Sequence, residues 1–74
     1  MSSSTSTGTA LRALREEAGL TARAVAERAG VSESYLSRVE TGKATPAPSW
    51  VGTVAAAIAS AISESSQPIQ KAAA

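Results

Sequence analysis

Cysteine and histidine are both absent from the sequence. Without cysteine no disulfide and no thiolate metal site can stiffen a small core, and a reducing, cytoplasmic compartment is the expectation. Without histidine the commonest metal ligand and the commonest general base are missing. No nucleophile, base and metal ligand form a constellation, so neither an enzyme nor a cofactor is expected. Long apolar runs are missing too, which excludes a membrane-spanning helix. The Ser/Thr-rich start lacks the basic residues and apolar stretch of a secretory leader, so an intracellular protein is expected. Charge of one sign is scarce: seven lysines and arginines stand against six acids, for a net charge of +1. A strongly basic chain would announce a phosphate-rich partner; here any positive footprint must come from placement, with acids turned away.

What is present is helical periodicity in a chain of 74 residues, enough for one domain. Such a chain buries only about 60% of its unfolded surface, so its core is small. Residues 1–8 are Ser/Thr-rich and read as a disordered arm; residues 9–64 read as the domain, and 65–74, with Pro68, as a flexible tail. A first helix begins near Thr9, with Leu11, Leu14 and Ala18 at helical spacing, and Gly19 ends it. Thr21 caps a second helix, with Val25, Ala26 and Ala29 on one face, and Gly30 stops it. Ser32 caps a third, with Leu36 and Val39 apolar and Glu33 near the positive end of the dipole, and Gly42 closes it. Residues 43–49 hold Pro46 and Pro48 and read as an extended loop. A fourth helix spans about 49–64, with Val51, Val54, Ala55, Ile58 and Ile62 in a narrow angular band. Whether a fifth helix follows Ser63 stays open.

The two short helices joined through Gly30, Val31 and Ser32 meet the demands of a helix-turn-helix. The turn needs a residue that accepts positive φ, which Gly30 supplies. The close approach needs a small side chain, which Ala26 supplies, and Val25, Val31, Leu36 and Val39 seal the angle. Leu11, Arg12, Leu14, Arg15, Gly19, Leu20 and Thr21 precede this unit in register. The pattern continues through Tyr35, Leu36, Ser37, Arg38, Val39 and Glu40 of its second helix to Gly42, Lys43 and Pro46. In these elements residues 11–58, about two thirds of the chain, resemble the lambda repressor and Cro-like family, also called the XRE family. The resemblance implies an all-α, compact four-helix, lambda-repressor-like DNA-binding domain, and a regulator of transcription.

With Leu36 and Val39 buried, the opposite face of the third helix carries Ser34, Ser37, Arg38 and Thr41, with Glu33 at its N-terminal flank. The N-terminal part of a recognition helix enters the major groove, so Glu33, Ser34, Ser37 and Arg38 are the candidate base readers. The resemblance puts base contacts on the same positions. Arg38 suits a bidentate contact to guanine and Glu33 an acceptor for cytosine. The plain alternatives are an exposed Arg38 paired with Glu33 or Ser34, and a Glu33 that only complements the dipole. Phosphate contacts are expected from Thr21 and the first amides of the second helix, from Thr41 and Lys43, and from Tyr35, whose ring alternatively packs over the turn. The family often has glutamine where this chain has Ala22; Arg23 is the candidate substitute. The resemblance also pairs Arg15 with Glu40.

One module of this size makes a small DNA interface, so a homodimer on a palindromic site is expected. Trp50, Ala57, Ala61 and Ile62 are the candidate dimer stripe; alternatively, Trp50 covers the rim of the core. The leading expectation is a repressor of phage, prophage or small bacterial operon type, acting in the cytoplasm on the nucleoid. An antitoxin that also binds a protein partner, a regulator held by an anti-repressor, and an interaction module without DNA binding are the competing readings.

Overall fold

The computed structural model describes residues 6–65, which form α1 (Thr7–Glu17), α2 (Ala22–Ala29), α3 (Glu33–Glu40) and α4 (Pro48–Ser65), with no strand among them. Residues 1–5 of the expected arm and 66–74 of the expected tail, including Pro68, lie outside the described residues.

A hydroxyl starts each of the first three helices. Ser6 Oγ accepts from the Thr9 N–H at 3.1 Å, Thr21 Oγ1 from the Ala24 N–H at 3.0 Å and Ser32 Oγ from the Tyr35 N–H at 3.1 Å. Each such cap satisfies an amide that the helix itself cannot, and is worth about 1 kcal/mol. The Ser6 cap starts α1 two residues before the expected Thr9, inside the segment read as an arm. Apart from Met1 that segment has no large apolar residue to signal burial, yet Gly8 is buried. A Cβ at Gly8 would collide with the carbonyl of Val39, so the bare backbone lets α1 lie directly on the last turn of α3. The inward face of α1 accordingly runs through Gly8, Leu11, Arg15 and Ala18, while Leu14, expected inside, is 40% exposed.

Gly30 stands at φ +72° between α2 and α3, and a Cβ there would meet nothing within 4 Å. Its requirement is therefore conformational and not steric: a left-handed residue turns the chain sharply enough for α3 to cross α2. The Val31 N–H donates back to the Ala26 carbonyl at 3.0 Å and closes this turn.

Pro48 is the first residue of α4, one earlier than expected. Proline fits there because the first helical amide has no partner in any case. The core consists of Leu11, Val25, Ala26, Leu36, Val39, Val54 and Ile58, one or two side chains from each helix. Burying each larger aliphatic among them contributes about 1.5–3 kcal/mol. The buried face of α4 is Val54, Ala57, Ile58 and Ala61, turned from the expected band: Val51 and Ala55 are half-buried and Ile62 is 41% exposed. Alanine has no long side chain to hold a neighbour away, which suits α4 to its packing along α2. No helix among the described residues is long and apolar enough to cross a membrane.

Candidate nucleic-acid interface

α3 buries Leu36, Val39 and Glu40 and turns Glu33, Ser34, Ser37 and Arg38 to solvent. None of these four exposed side chains has a hydrogen-bond or ion-pair partner among the described residues. Arg38 therefore forms neither of the pairs considered for it, with Glu33 or with Ser34. The helix is held from its opposite side. Arg15 on α1 reaches Glu40 in a two-pronged pair: its Nε–H donates to Oε2 at 2.8 Å and its Nη2–H to Oε1 at 2.9 Å. The third prong, Nη1–H, donates to the Leu20 carbonyl at 2.8 Å, so one guanidinium joins α1, the α1–α2 turn and the end of α3. Only 12% of the Arg15 side chain and 6% of that of Glu40 is exposed. The hydrogen bonds to Glu40 raise the Arg15 pKa above its ordinary value. They outweigh the desolvation that would lower it, and the charges of Glu40 and Glu16 add to the rise.

The expected phosphate contacts are spread around α3. Thr21 caps α2 and leaves the first amides of that helix, those of Ala22 and Arg23, pointing outward without an intrahelical partner. Arg23 is exposed and its Nε–H meets Glu27 at 3.2 Å. The Thr41 hydroxyl donates to the Ser37 carbonyl at 2.9 Å, tying it to its own helix. Lys43 is exposed, with its backbone N–H donating to the Arg38 carbonyl at 2.7 Å. The Tyr35 ring is half-buried against Trp50, centroids 5.2 Å apart and planes at 83°. It thus packs on the start of α4 and not over the turn.

The four residues of the expected dimer stripe do not share an outer surface. Ala57 and Ala61 are 8% and 7% exposed and belong to the interior of the single chain, where α4 faces its neighbours. Trp50 is half-buried against Tyr35 and the core, and Ile62 is exposed.

Two features escape sequence reasoning. Arg28 and Glu64 pair at 2.8 and 3.1 Å across 36 positions, joining α2 to the end of α4; nothing in the local pattern signals so distant a partner. A cleft of about 280 Å³ lies between the start of α1 and the loop after α3, lined by Gly8, Val39, Gly42 and Thr45 among others. It exists because α1 starts early. The pairs Arg12–Glu16 and Arg23–Glu27 are within reach of the sequence, since both have the i,i+4 spacing of neighbours on a helix face.

Together the pairs sort the charge. Arg12, Arg15, Arg23 and Arg28 each have a glutamate partner. Among the described residues, the cations without an acidic partner are Arg38 and Lys43, both at the C-terminal end of the recognition helix. Glu17 and Glu33 are the acids left over. No group of described residues has the side chains to hold a metal ion.

No curated protein and no solved structure matches the chain. A family model described as a helix-turn-helix domain matches residues 7–63, from the first residue of α1 to near the end of α4. That match supports a DNA-binding regulator, and its extent decides the identity: the chain belongs to the helix-turn-helix domain family.

Proposed function

We propose that this protein is a sequence-specific transcription regulator of the lambda repressor and Cro-like type, a repressor that binds a palindromic operator as a homodimer. The observation that supports it best is the outer face of α3. It carries Glu33, Ser34, Ser37 and Arg38 with no partner among the described residues, and Lys43, the other described cation without an acidic partner, follows it. Polar side chains fanned out on a rigid helix, next to unpaired positive charge, suit base edges flanked by phosphates.

In this reading α3 enters the major groove by its N-terminal half and Arg38 donates to a guanine. Lys43, Arg23, Tyr35, Thr41 and the amides capped by Thr21 lie against the backbone. For Arg23 this means exchanging Glu27 for a phosphate, a small cost because exposed pairs contribute less than about 1 kcal/mol. Two copies would set their α3 helices about 34 Å apart, one turn of duplex. Repression follows by occupancy, since a bound dimer excludes polymerase.

Selection of bound duplexes from a random library tests the whole reading. A two-fold symmetric consensus about one helical turn in period is the expected result. A consensus without symmetry removes the dimer. Failure to retain any duplex, at low salt as well as high, removes the regulator and leaves an interaction module.

A further inference from the structure

Trp50 stands in the first turn of α4, outside the helix-turn-helix, yet its ring meets a residue of the recognition helix. α3 has only eight residues and must be held along its length to present side chains at a fixed angle. Its C-terminal half is held by the Arg15–Glu40 pair and by Val39, with Leu36 buried at its middle. At its N-terminal half the Ser32 cap is internal to the helix and cannot set a tilt relative to the rest of the protein. The backbone of α4 runs along α2 and α1 and approaches α3 only slightly. The turn through Gly30 and Val31 and the packing on α2 hold that end on one side; on the side of α4 the Tyr35–Trp50 contact spans the gap, and its near-perpendicular geometry is one that aromatic quadrupoles favour.

We infer that Trp50 is a positioning residue for DNA specificity: through Tyr35 it sets the tilt of the N-terminal half of α3. It thereby sets the angle at which Glu33 and Ser34 meet base edges, while touching no DNA itself. The inference rests on the DNA-binding reading above. Base-edge hydrogen bonds weaken steeply as their angle degrades, whereas a lysine on a flexible stem keeps its phosphate through a small tilt. Loss of the ring contact therefore falls mainly on discrimination, and the charged backbone contacts stay. A leucine fills part of the space but has no ring edge or face, so it leaves the tilt unset; a phenylalanine keeps the ring contact.

The test measures the binding of the full chain to its selected consensus duplex and to a permuted duplex of equal length, by fluorescence anisotropy. For Trp50→Phe the ratio of the two affinities should stay within about twofold of the parent. For Trp50→Leu it should fall by about two- to tenfold, the range an aromatic pair is worth. Affinity for the permuted duplex should fall by less than affinity for the consensus, and its salt slope should not change, since Tyr35 is uncharged. Thermal melting places each measurement where the variant is folded, and Trp50→Met takes over if the leucine variant does not fold. A folded leucine or methionine variant with the parental ratio overturns the inference, as does a phenylalanine variant that loses as much. A parent that binds neither duplex overturns the DNA-binding reading itself, and this inference with it.

Discussion

A methyl group at Gly8 has nowhere to go, because the Val39 carbonyl occupies its place. Since that obstacle is backbone, Gly8→Ala forces α1 off the end of α3 and is expected to cost about 2 kcal/mol, as overpacking does. In a domain of this size that lowers the melting temperature by roughly 10 °C, which a calorimetric or circular-dichroism melt reads directly. Arg38 sits at the opposite extreme, exposed and unpartnered among the described residues. Arg38→Ala should leave the melting temperature close to that of the parent. On the proposed reading it relaxes preference at one base pair by about 1–3 kcal/mol; unchanged ranking of single-base variants removes Arg38 as a base reader. The two residues also differ in legibility. The polar face of α3 follows from where Leu36 and Val39 stand in the sequence. The need for glycine at position 8 depends on the carbonyl of Val39, far along the chain, which no local pattern predicts.

At the scale of elements, caps and glycine stops make α2 and α3 readable almost to the residue. Apolar spacing alone finds the inner faces of α1 and α4 only in part: Leu11, Val54 and Ile58 are buried as expected, but it does not reveal which alanine meets a neighbour. Leu14 has the spacing of a core residue and is exposed, while Ala57 and Ala61 have that of a surface stripe and are buried. The Arg15–Glu40 pair carries a testable energy. Removing one member strands the other in a poorly solvated site, so Arg15→Leu should destabilise by about 3 kcal/mol. The double variant Arg15→Leu/Glu40→Leu should recover much of that loss, and urea titrations of parent, single and double variants give the coupling. Arg28–Glu64 ties α2 to α4 at the surface. Hydrogen bonding to Arg28, with its charge, lowers the Glu64 pKa below the ordinary carboxylate value. A lowered folded-state pKa adds stability above the unfolded value, about 4.3, which is lost as pH falls through the folded value. Glu64→Gln should therefore flatten the acid limb of the stability profile below that value and change little in its shape near neutrality.

On the proposed reading, the molecule as a whole binds through placement and not through charge excess. Acids neutralise most of its arginines, so few counterions are available for release. On the DNA-binding reading, the slope of log affinity against log salt should be shallow for a dimer. Lys43→Ala should reduce it by roughly one for every phosphate that the lysine neutralises, while weakening all sequences alike. A slope unchanged by that substitution takes Lys43 out of the backbone contacts.

The bond from the Lys43 amide to the Arg38 carbonyl, 2.7 Å long, has a consequence for evolution of the site. It fixes the spacing of the two backbone positions from which the guanidinium and the ammonium extend. On the proposed reading, a drifting operator can exchange the base beneath Arg38, but it cannot much alter the distance to the phosphate beneath Lys43 without weakening both contacts. Substitutions within half-sites should then be tolerated singly, whereas inserted or deleted base pairs should abolish recognition at once.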